Sequence, residues 1–420
     1  MTRALALLAV AMAGAAQTRP NGFYLATPLG LTYGYDDNFV SSGTKVSDQS
    51  TLVNAPSFAW RKSTHRDRIT IDYQPEFQIF SHHRELNSWN HLGIVHFTHQ
   101  ISGRSTIDAG GYFLSTNDPT RALENSLLLL PLGAFRQNAV FTELGYRLTR
   151  KTRLAFRLDN AVTKTSLNGD AAGKLNQISV GGTVSWEHTI DAHQTVSANI
   201  GHLWARNFDT ALYGRSTAMD VVNAGYDYTP NPGLVLRLSG GFVRAKPTAF
   251  TGSATVEKKL GRAWIGAGYR RYLNFFGGLS GAASAAQGAV FAGGLAPDSV
   301  YQVVSLRAWG NLTKSLAILA SGEHALIGLN AQRIPIRGNV ARLRLEQKLT
   351  NRFAVFAISE YYGQNLNEIA GIPMSRARYL GGLSVTLTRP PVVENKPNRR
   401  APPPDDPKKD TDRSGSPEER

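Results

Sequence analysis

The chain has 420 residues, with 46 Lys and Arg against 31 Asp and Glu, a formal net charge of +15 at pH 7, 40 Gly and no Cys. This length fits two or three ordinary domains or one large barrel. The absence of Cys excludes disulfides and Cys-ligated metal, and 18% charged residues with 15 Tyr and 18 Phe are typical of a glycine- and aromatic-rich β protein.

Residues 1–16 have the features of a secretory signal peptide. Arg3 precedes an apolar run, and the small residues Gly14, Ala15 and Ala16 follow where a signal peptidase cuts. The run has about 13 residues, whereas a spanning helix needs roughly 18 to 20. Since no other run is long enough, an α-helical membrane protein is excluded. A secreted soluble β protein and a β-barrel remain.

From residue 23 onward, about eighteen segments alternate between apolar and polar residues, which is the period of a β-strand with two unlike faces. The clearest case is the segment 68–79. One face is apolar: Ile69, Ile71, Tyr73, Phe77 and Ile79. The opposite face is polar: Arg68, Asp72, Gln74, Glu76 and Gln78. Pro75 lies within this segment and predicts a local bulge, because proline cannot donate a ladder hydrogen bond.

Tight turns and longer loops alternate between these segments. The tight turns are predicted near 62–66, 101–104, 149–152, 190–193, 229–233, 260–262, 311–314 and 349–352. The longer connections are predicted near 36–50, 80–88, 117–134, 166–173, 207–214, 274–297, 328–335 and 364–374, with a short one near 246–248. Short turns on one rim and long loops on the other are typical of outer-membrane barrels.

These observations predict an all-β fold, a transmembrane up-and-down antiparallel β-barrel of about 18 strands, within a range of 16 to 20. The barrel is predicted over residues 17–388. Residues 389–420 hold eight of the chain's 20 prolines among interleaved charges and predict a disordered periplasmic tail. The alternative fold is a soluble sandwich or propeller, in which the polar faces would meet solvent.

Charged residues recur on the predicted inner face and are the candidate pore-lining residues: Arg68, Asp72, Glu76, Arg157, Arg237, Arg307, Arg342, Arg344 and Arg378. A positively lined wet lumen favours anions. The alternative is that these arginines pair with carboxylates on neighbouring strands and hold the wall together. Both interpretations remain open at this point.

Three other features are candidates for function. The uncharged loop 274–297 is either a constriction inside the barrel or an extracellular loop, and the apolar run 127–132 is a candidate rim helix or partner surface. Asp36, Asp37 and Asn38 end the first strand and are either a weak cation site or a turn. The histidines between His82 and His99 match no metal-ligand spacing.

The segment 29–39, Leu-Gly-Leu-Thr-Tyr-Gly-Tyr-Asp-Asp-Asn-Phe, follows the signal peptide and precedes a polar loop. It resembles the start of β-barrel porins of Gram-negative bacteria, including barrels encoded beside exopolysaccharide systems, and the hairpin pattern extends the resemblance over residues 20–388. The resemblance implies an outer-membrane location and a pore. Barrels of this kind usually end at an aromatic residue, whereas here Thr388 is followed by the proline-rich tail.

The predicted function is passive, anion-favouring diffusion of small hydrophilic solutes through an outer-membrane pore. The alternatives are an exopolysaccharide-export conduit and a non-conducting barrel for adhesion or envelope anchoring. No catalytic site, cofactor or metal is predicted. The predicted partners are outer-membrane lipid, the barrel assembly machinery, and polysaccharide or small anionic solutes. Nucleic acid is not among them, because the basic residues are dispersed over the strands.

Overall fold

The computed structural model describes residues 21–25, 29–39, 45–118, 133–167, 175–208, 216–244, 248–274, 299–328, 335–365 and 373–386. The predicted signal peptide, the whole of the predicted tail, the apolar run 127–132 and most of the uncharged loop 274–297 lie outside these residues. Within the described part, no helix is long and apolar enough to cross a membrane.

Within the described residues, twenty strand segments form a single sheet, and Arg84–Leu86 forms one short 3-10 turn. The segments are β1 (Gly22–Leu25), β2 (Leu29–Asp36), β3 (Asp48–Asn54), β4 (Phe58–Ser63), β5 (Asp67–Phe80), β6 (Ser88–Gln100), β7 (Ser105–Thr116), β8 (Gly133–Arg147), β9 (Thr152–Leu167), β10 (Leu175–Thr189), β11 (Gln194–Asn207), β12 (Ser216–Asn231), β13 (Leu234–Arg244), β14 (Ala249–Leu260), β15 (Ala263–Asn274), β16 (Ser299–Asn311), β17 (Leu316–Gly328), β18 (Pro335–Lys348), β19 (Phe353–Asn365) and β20 (Pro373–Val385).

The sheet closes into an antiparallel barrel of 18 strands, as predicted. Twenty segments make 18 barrel strands, because β1 and β2 together form one barrel strand and β3 and β4 together form the next. Within this pair of barrel strands, β1 pairs with β4 and β2 pairs with β3. From β5 to β20 each strand pairs with the next, and β20 closes the ring by pairing with β2 from Leu29↔Val385 to Asp36↔Arg378. Closure leaves no long sheet edge, which is what a β structure in hydrocarbon requires.

The register fixes which side chains point outward. Residues directly opposite each other in a ladder share a face. The apolar positions of neighbouring strands pair with one another, as in Val184↔Ile200 and Ile200↔Val222. These side chains are exposed, with Ile200 at 62%, Leu306 at 61% and Phe242 at 59%. An outer face made of exposed apolar side chains is the reverse of a soluble protein's surface, and it favours the barrel over the sandwich.

Two strands whose faces the sequence does not separate are β6 and β19. Ile94 pairs with Asp72, and Phe356 pairs with Glu346, so both apolar side chains lie on the inner face. Ile94 is 41% exposed there. Apolar residues on both faces mask the period of two in these strands, although the backbone continues as strand.

The irregularity predicted at Pro75 lies on the neighbouring strand. The register between β5 and β6 runs through Pro75↔His91 without a break. On the other side, the pairs Asn54↔Glu76 and Phe58↔Tyr73 leave residues 55–57 opposite only residues 74 and 75. The extra residue separates β3 from β4 at Pro56, which also lacks a backbone N–H.

The two rims differ as the sequence predicts. Short turns of two to four residues connect the strands on one rim, which we call the short-turn rim, and β1 and the last residue of β20 also lie there. The other rim, the long-loop rim, holds the longer connections. Inner side chains are buried toward the long-loop rim, among them Phe135, Leu203 and Val303, and they are exposed toward the short-turn rim, where Leu319 is 52% exposed.

Candidate pore wall and closing seam

All nine candidate pore-lining residues lie on the face opposite the exposed apolar side chains. The cross-strand pairs that fix this face are Arg68↔Thr98, Asp72↔Ile94, Glu76↔Asn90, Glu143↔Arg157, Asp227↔Arg237, Gly266↔Arg307, Arg342↔Glu360, Leu319↔Arg344 and Asp36↔Arg378. The structure does not gather them in one place. Eight of the nine are spread over β5, β9, β13, β16 and β18, and Arg378 lies at the barrel's closure.

Aromatic rings on the inner face lie beside four of these arginines. The guanidinium carbon of Arg157 is 4.1 Å from the ring centre of Phe141, and that of Arg307 is 4.9 Å from Trp309. A second group of inner arginine–ring contacts joins Arg342 to Tyr362 and Arg344 to Phe356. Cation–π contacts of this kind hold a guanidinium along the wall without neutralising its charge.

Several inner arginines also pair with carboxylates of the wall. Glu257 of β14 accepts from Arg237 at 3.3 Å and from Arg307. Arg157 donates to Asp159 on its own strand at 2.8 Å, and Arg344 donates to Glu346 at 2.8 Å. The carboxylate of Glu76 accepts from the Asn90 amide at 2.9 Å. The wall is therefore a network of mixed sign rather than a uniform positive lining.

The most buried basic side chain among the described residues is that of Arg376, 1% exposed, which is not among the nine candidates. It lies on β20 at the seam where the barrel closes. Its Nη2 donates to Asp36 Oδ2 at 2.6 Å and to Asp118 Oδ2 at 2.9 Å, and its Nε donates to Asp36 Oδ2 at 2.9 Å. Asp36 belongs to the first strand, and Asp118 follows β7, so one guanidinium joins the two ends of the ring to a strand end farther round the barrel.

Asp36, Asp37 and Asn38 close the barrel against β20. The backbone N–H of Ala377 donates to Asp37 Oδ1 at 2.6 Å, and the Asn38 side-chain amide donates to the Ser375 carbonyl at 2.8 Å. Lys45, outside the strands, donates to Asp37 Oδ2 at 2.6 Å, and this bond raises the pKa of its ammonium group. The motif therefore ends the first strand, as one of its two interpretations has it, and also bonds that strand to the last one.

A signal for part of this seam is present in the sequence. Arg376 has the same parity as Arg378, so the strand period alone places both on the inner face. Its burial and its second partner have no comparable signal, because Asp118 is 258 positions away in the chain. Only closure of the ring brings these residues together.

The histidines of the β5–β7 region are on both faces and have separate partners. His96 Nε2 is 2.6 Å from Asp108 on the inner face, while His91 Nδ1 bonds the Tyr73 hydroxyl at 2.8 Å on the outer face. His82 Nδ1 contacts Asp48 at 2.9 Å on the long-loop rim. Among the described residues, no group of three or more His, Cys, Asp or Glu side chains is arranged to hold a metal ion.

Comparison with solved structures finds similar barrels. The chain is similar to the FrpB iron transporter of Neisseria meningitidis in its apoprotein form, with 9% identity, a TM-score of 0.47, and coverage of 86% of this chain and 81% of that one. It is also similar to OpdQ of Pseudomonas aeruginosa, with 10% identity, a TM-score of 0.46, and coverage of 86% and 97%. A BenF-like porin of Pseudomonas fluorescens Pf-5 is similar as well, with 10% identity, a TM-score of 0.46, and coverage of 86% of this chain and 98% of that one.

No protein-family model matches the sequence. No curated protein sequence matches it either. Identities of 9 to 10% and TM-scores below 0.5 carry no information on function.

Proposed function

We propose that this protein is an outer-membrane channel through which small hydrophilic solutes diffuse passively. One observation carries the proposal: a closed ring of strands has an apolar exposed exterior and a charged interior wall. An apolar exterior is stable only against lipid, and charged side chains on the inner wall need water or partners. The proposal involves no enzymatic step and no cofactor.

Aromatic side chains near both ends of the outer face support a membrane setting. Trp89, Phe113, Phe242 and Phe250 lie toward the long-loop rim, and Tyr146, Trp186 and Phe353 lie toward the short-turn rim. Aromatic girdles at the two lipid–water interfaces are a property of outer-membrane barrels. In this proposal the outer face contacts outer-membrane lipid, the barrel assembly machinery inserts the chain, and the tail is periplasmic.

The proposed channel also has a weak preference for anions over cations. Near the short-turn rim, within two residues of the strand ends, six basic side chains lie on the inner face: Arg61, Arg68, Arg147, Arg153, Lys259 and Lys348. Glu187 and Glu346 are the carboxylates at that depth among the described strands. Deeper in the barrel, the inner carboxylates of the described strands outnumber the inner arginines, so the positive potential is concentrated at one mouth.

Conductance in planar bilayers tests the proposal. Purified protein refolded in detergent and added to the bilayer is expected to give discrete current steps, while detergent alone gives none. Absence of steps over the whole range of applied voltage would reject the channel and favour the non-conducting barrel. Faster flux of long oligosaccharides than of small solutes in liposomes would favour the export conduit instead.

The anion preference has its own measurement. Under a tenfold KCl gradient the reversal potential is expected to give a chloride-to-potassium permeability ratio above one and below about five, because inner carboxylates offset most of the arginines. A ratio below one would contradict the anion preference and leave the channel itself standing.

A further inference from the structure

The inner wall separates charge by position round the ring. At described inner positions more than two residues from the short-turn end of a strand, β2–β12 carry eight carboxylates and the single arginine Arg157. We call these strands the acidic arc. Four of the carboxylates are Asp36, Asp48, Asp72 and Glu76. The other four are Asp108, Glu143, Asp159 and Asp227.

The remaining strands, β13–β20, form a basic arc. At the same depth their described inner positions carry seven arginines and the carboxylates Glu257, Glu323 and Glu360. Three arginines are on β13–β16: Arg237, Arg270 and Arg307. Four are on β18 and β20: Arg342, Arg344, Arg376 and Arg378.

The two arcs face each other across the lumen. In a ring of 18 strands, β7 and β16 are nine strands apart, so Asp108 and Arg307 lie half way round the ring from each other. The same relation holds for Asp159 on β9 and Arg342 on β18. Arg307 is half exposed and Asp108 about a third exposed, so both meet solvent inside the barrel.

Local ion pairs reduce this separation without removing it. Within the acidic arc Arg157 pairs with Asp159, and Glu143 pairs with Arg153 near the short-turn rim. Within the basic arc Glu257 pairs with Arg237 and Arg307, Glu360 pairs with Arg378, and Arg344 pairs with Glu346 near the short-turn rim. The buried Arg376 pairs with Asp36 across the boundary between the arcs. Both arcs nevertheless keep a surplus of one sign, because the acidic arc has far more carboxylates than arginines and the basic arc has more arginines than carboxylates. Low-dielectric walls concentrate the resulting field in the lumen, and salt screens it over about 10 Å at 0.1 M.

We propose that the channel selects dipolar solutes, which carry a cationic and an anionic group on one small molecule, by orienting them between the acidic and the basic arc. A free amino acid has this chemistry. Its carboxylate turns toward the arginines and its ammonium group toward the carboxylates, so both arcs attract the solute at once. A simple anion or cation is attracted by one arc only. This inference rests on the proposed channel and adds the class of solute.

Glycine and its uncharged isomer glycolamide test the inference, because they have the same atoms and differ in charge separation. Swelling of proteoliposomes at low salt is expected to be about twofold faster or more in glycine than in glycolamide, and the ratio should fall toward one in about 1 M KCl.

Substitutions in the two arcs distinguish a transverse field from net charge. Arg270→Gln with Arg342→Gln removes two inner arginines that form no ion pair with a described carboxylate. Asp72→Asn with Glu76→Gln removes two carboxylates from the acidic arc. Both double variants are expected to bring the glycine-to-glycolamide ratio close to one, although they shift the chloride-to-potassium permeability ratio in opposite directions.

The matched control is Arg262→Gln with Lys314→Gln, which removes two positive charges from exposed turns on the short-turn rim. It is expected to keep the glycine preference. Equal swelling in the two isomers with the parent protein, or a preference that follows net charge in one direction, would overturn the inference while the channel stands. Absence of swelling in any solute would instead reject the proposed function.

Discussion

At the scale of single residues, Arg376 bonds side chains from different parts of the chain at the closing seam. It is almost fully buried and bonds two carboxylates that are themselves buried, Asp36 and Asp118. Removing one member of a buried ionic group leaves uncompensated charge in a low-dielectric site. Replacing the whole group by neutral side chains removes that penalty. The structure therefore predicts that the single change is more harmful than the combined one.

Arg376→Met is expected to lower the free energy of unfolding by about 3 to 5 kcal/mol, because Asp36 and Asp118 lose their shared cation. Urea unfolding of the protein in lipid vesicles measures this loss. Arg352→Met, in the exposed turn between β18 and β19, is the control and should stay within about 0.5 kcal/mol of the parent.

Should Arg376→Met fail to fold, a triple variant keeps the prediction testable. Adding Asp36→Asn and Asp118→Asn removes the two uncompensated charges, and this variant is expected to recover a folded barrel with part of the lost stability. A single variant as stable as the parent would show that the buried pairs do not hold the seam.

At the scale of elements, the seam between β2 and β20 depends on a small residue at Gly34. A Cβ atom at this position would clash with the Tyr379 carbonyl oxygen and lie 2.9 Å from the Leu380 Cα. Both atoms belong to backbone, so the strands themselves would have to separate. Across the ladder, Gly381 points outward, and a methyl group added there would have no described atom within 4 Å. The two glycines therefore form a matched pair.

Gly34→Ala is expected to destabilise the barrel by about 1 to 3 kcal/mol through strain at the closing ladder. Gly381→Ala, one position away on the opposite face, should change stability by less than about 0.5 kcal/mol. The temperature at which the folded band on a semi-native gel converts to the unfolded band compares the two variants. Equal shifts for both glycines would contradict the steric explanation.

The elements also show what the strand period can and cannot predict. Segment 68–79 has one apolar and one polar face, and its parity assigns every side chain as the register does. In β6 and β19 the same rule is ambiguous, because Ile94 and Phe356 are apolar side chains on the inner face. Pro75 indicated an irregularity, but its position on the neighbouring strand depends on cross-strand pairing.

At the scale of the whole molecule, the barrel has an outer face for lipid and an inner face for water. The chain's six tryptophans are divided between the two faces. Trp264 and Trp309 pair across β15 and β16 on the inner face, with ring centres 6.2 Å apart. The other four lie on the outer face: Trp60, Trp89, Trp186 and Trp204. This distribution gives a direct measurement of which face meets lipid.

Variants that keep one tryptophan and replace the other five by Phe are expected to divide into two classes in brominated lipid. Trp186 or Trp204 alone should be strongly quenched, because bromine atoms on the acyl chains reach the outer face. Trp309 alone should be quenched little, since the wall of the barrel separates it from the acyl chains. Strong quenching of Trp309 would contradict the assignment of the faces.

The sequence by itself determined the strands, their approximate number, the alternation of short turns with long loops and the side of most residues, because these follow from a local period of two. Only the tertiary structure decided which distant residues meet. Arg376 gains Asp36 and Asp118 as partners, and carboxylates and arginines separate into facing arcs, because ring closure places strands far apart in the chain side by side or opposite each other. Local patterns carry no information about such distances.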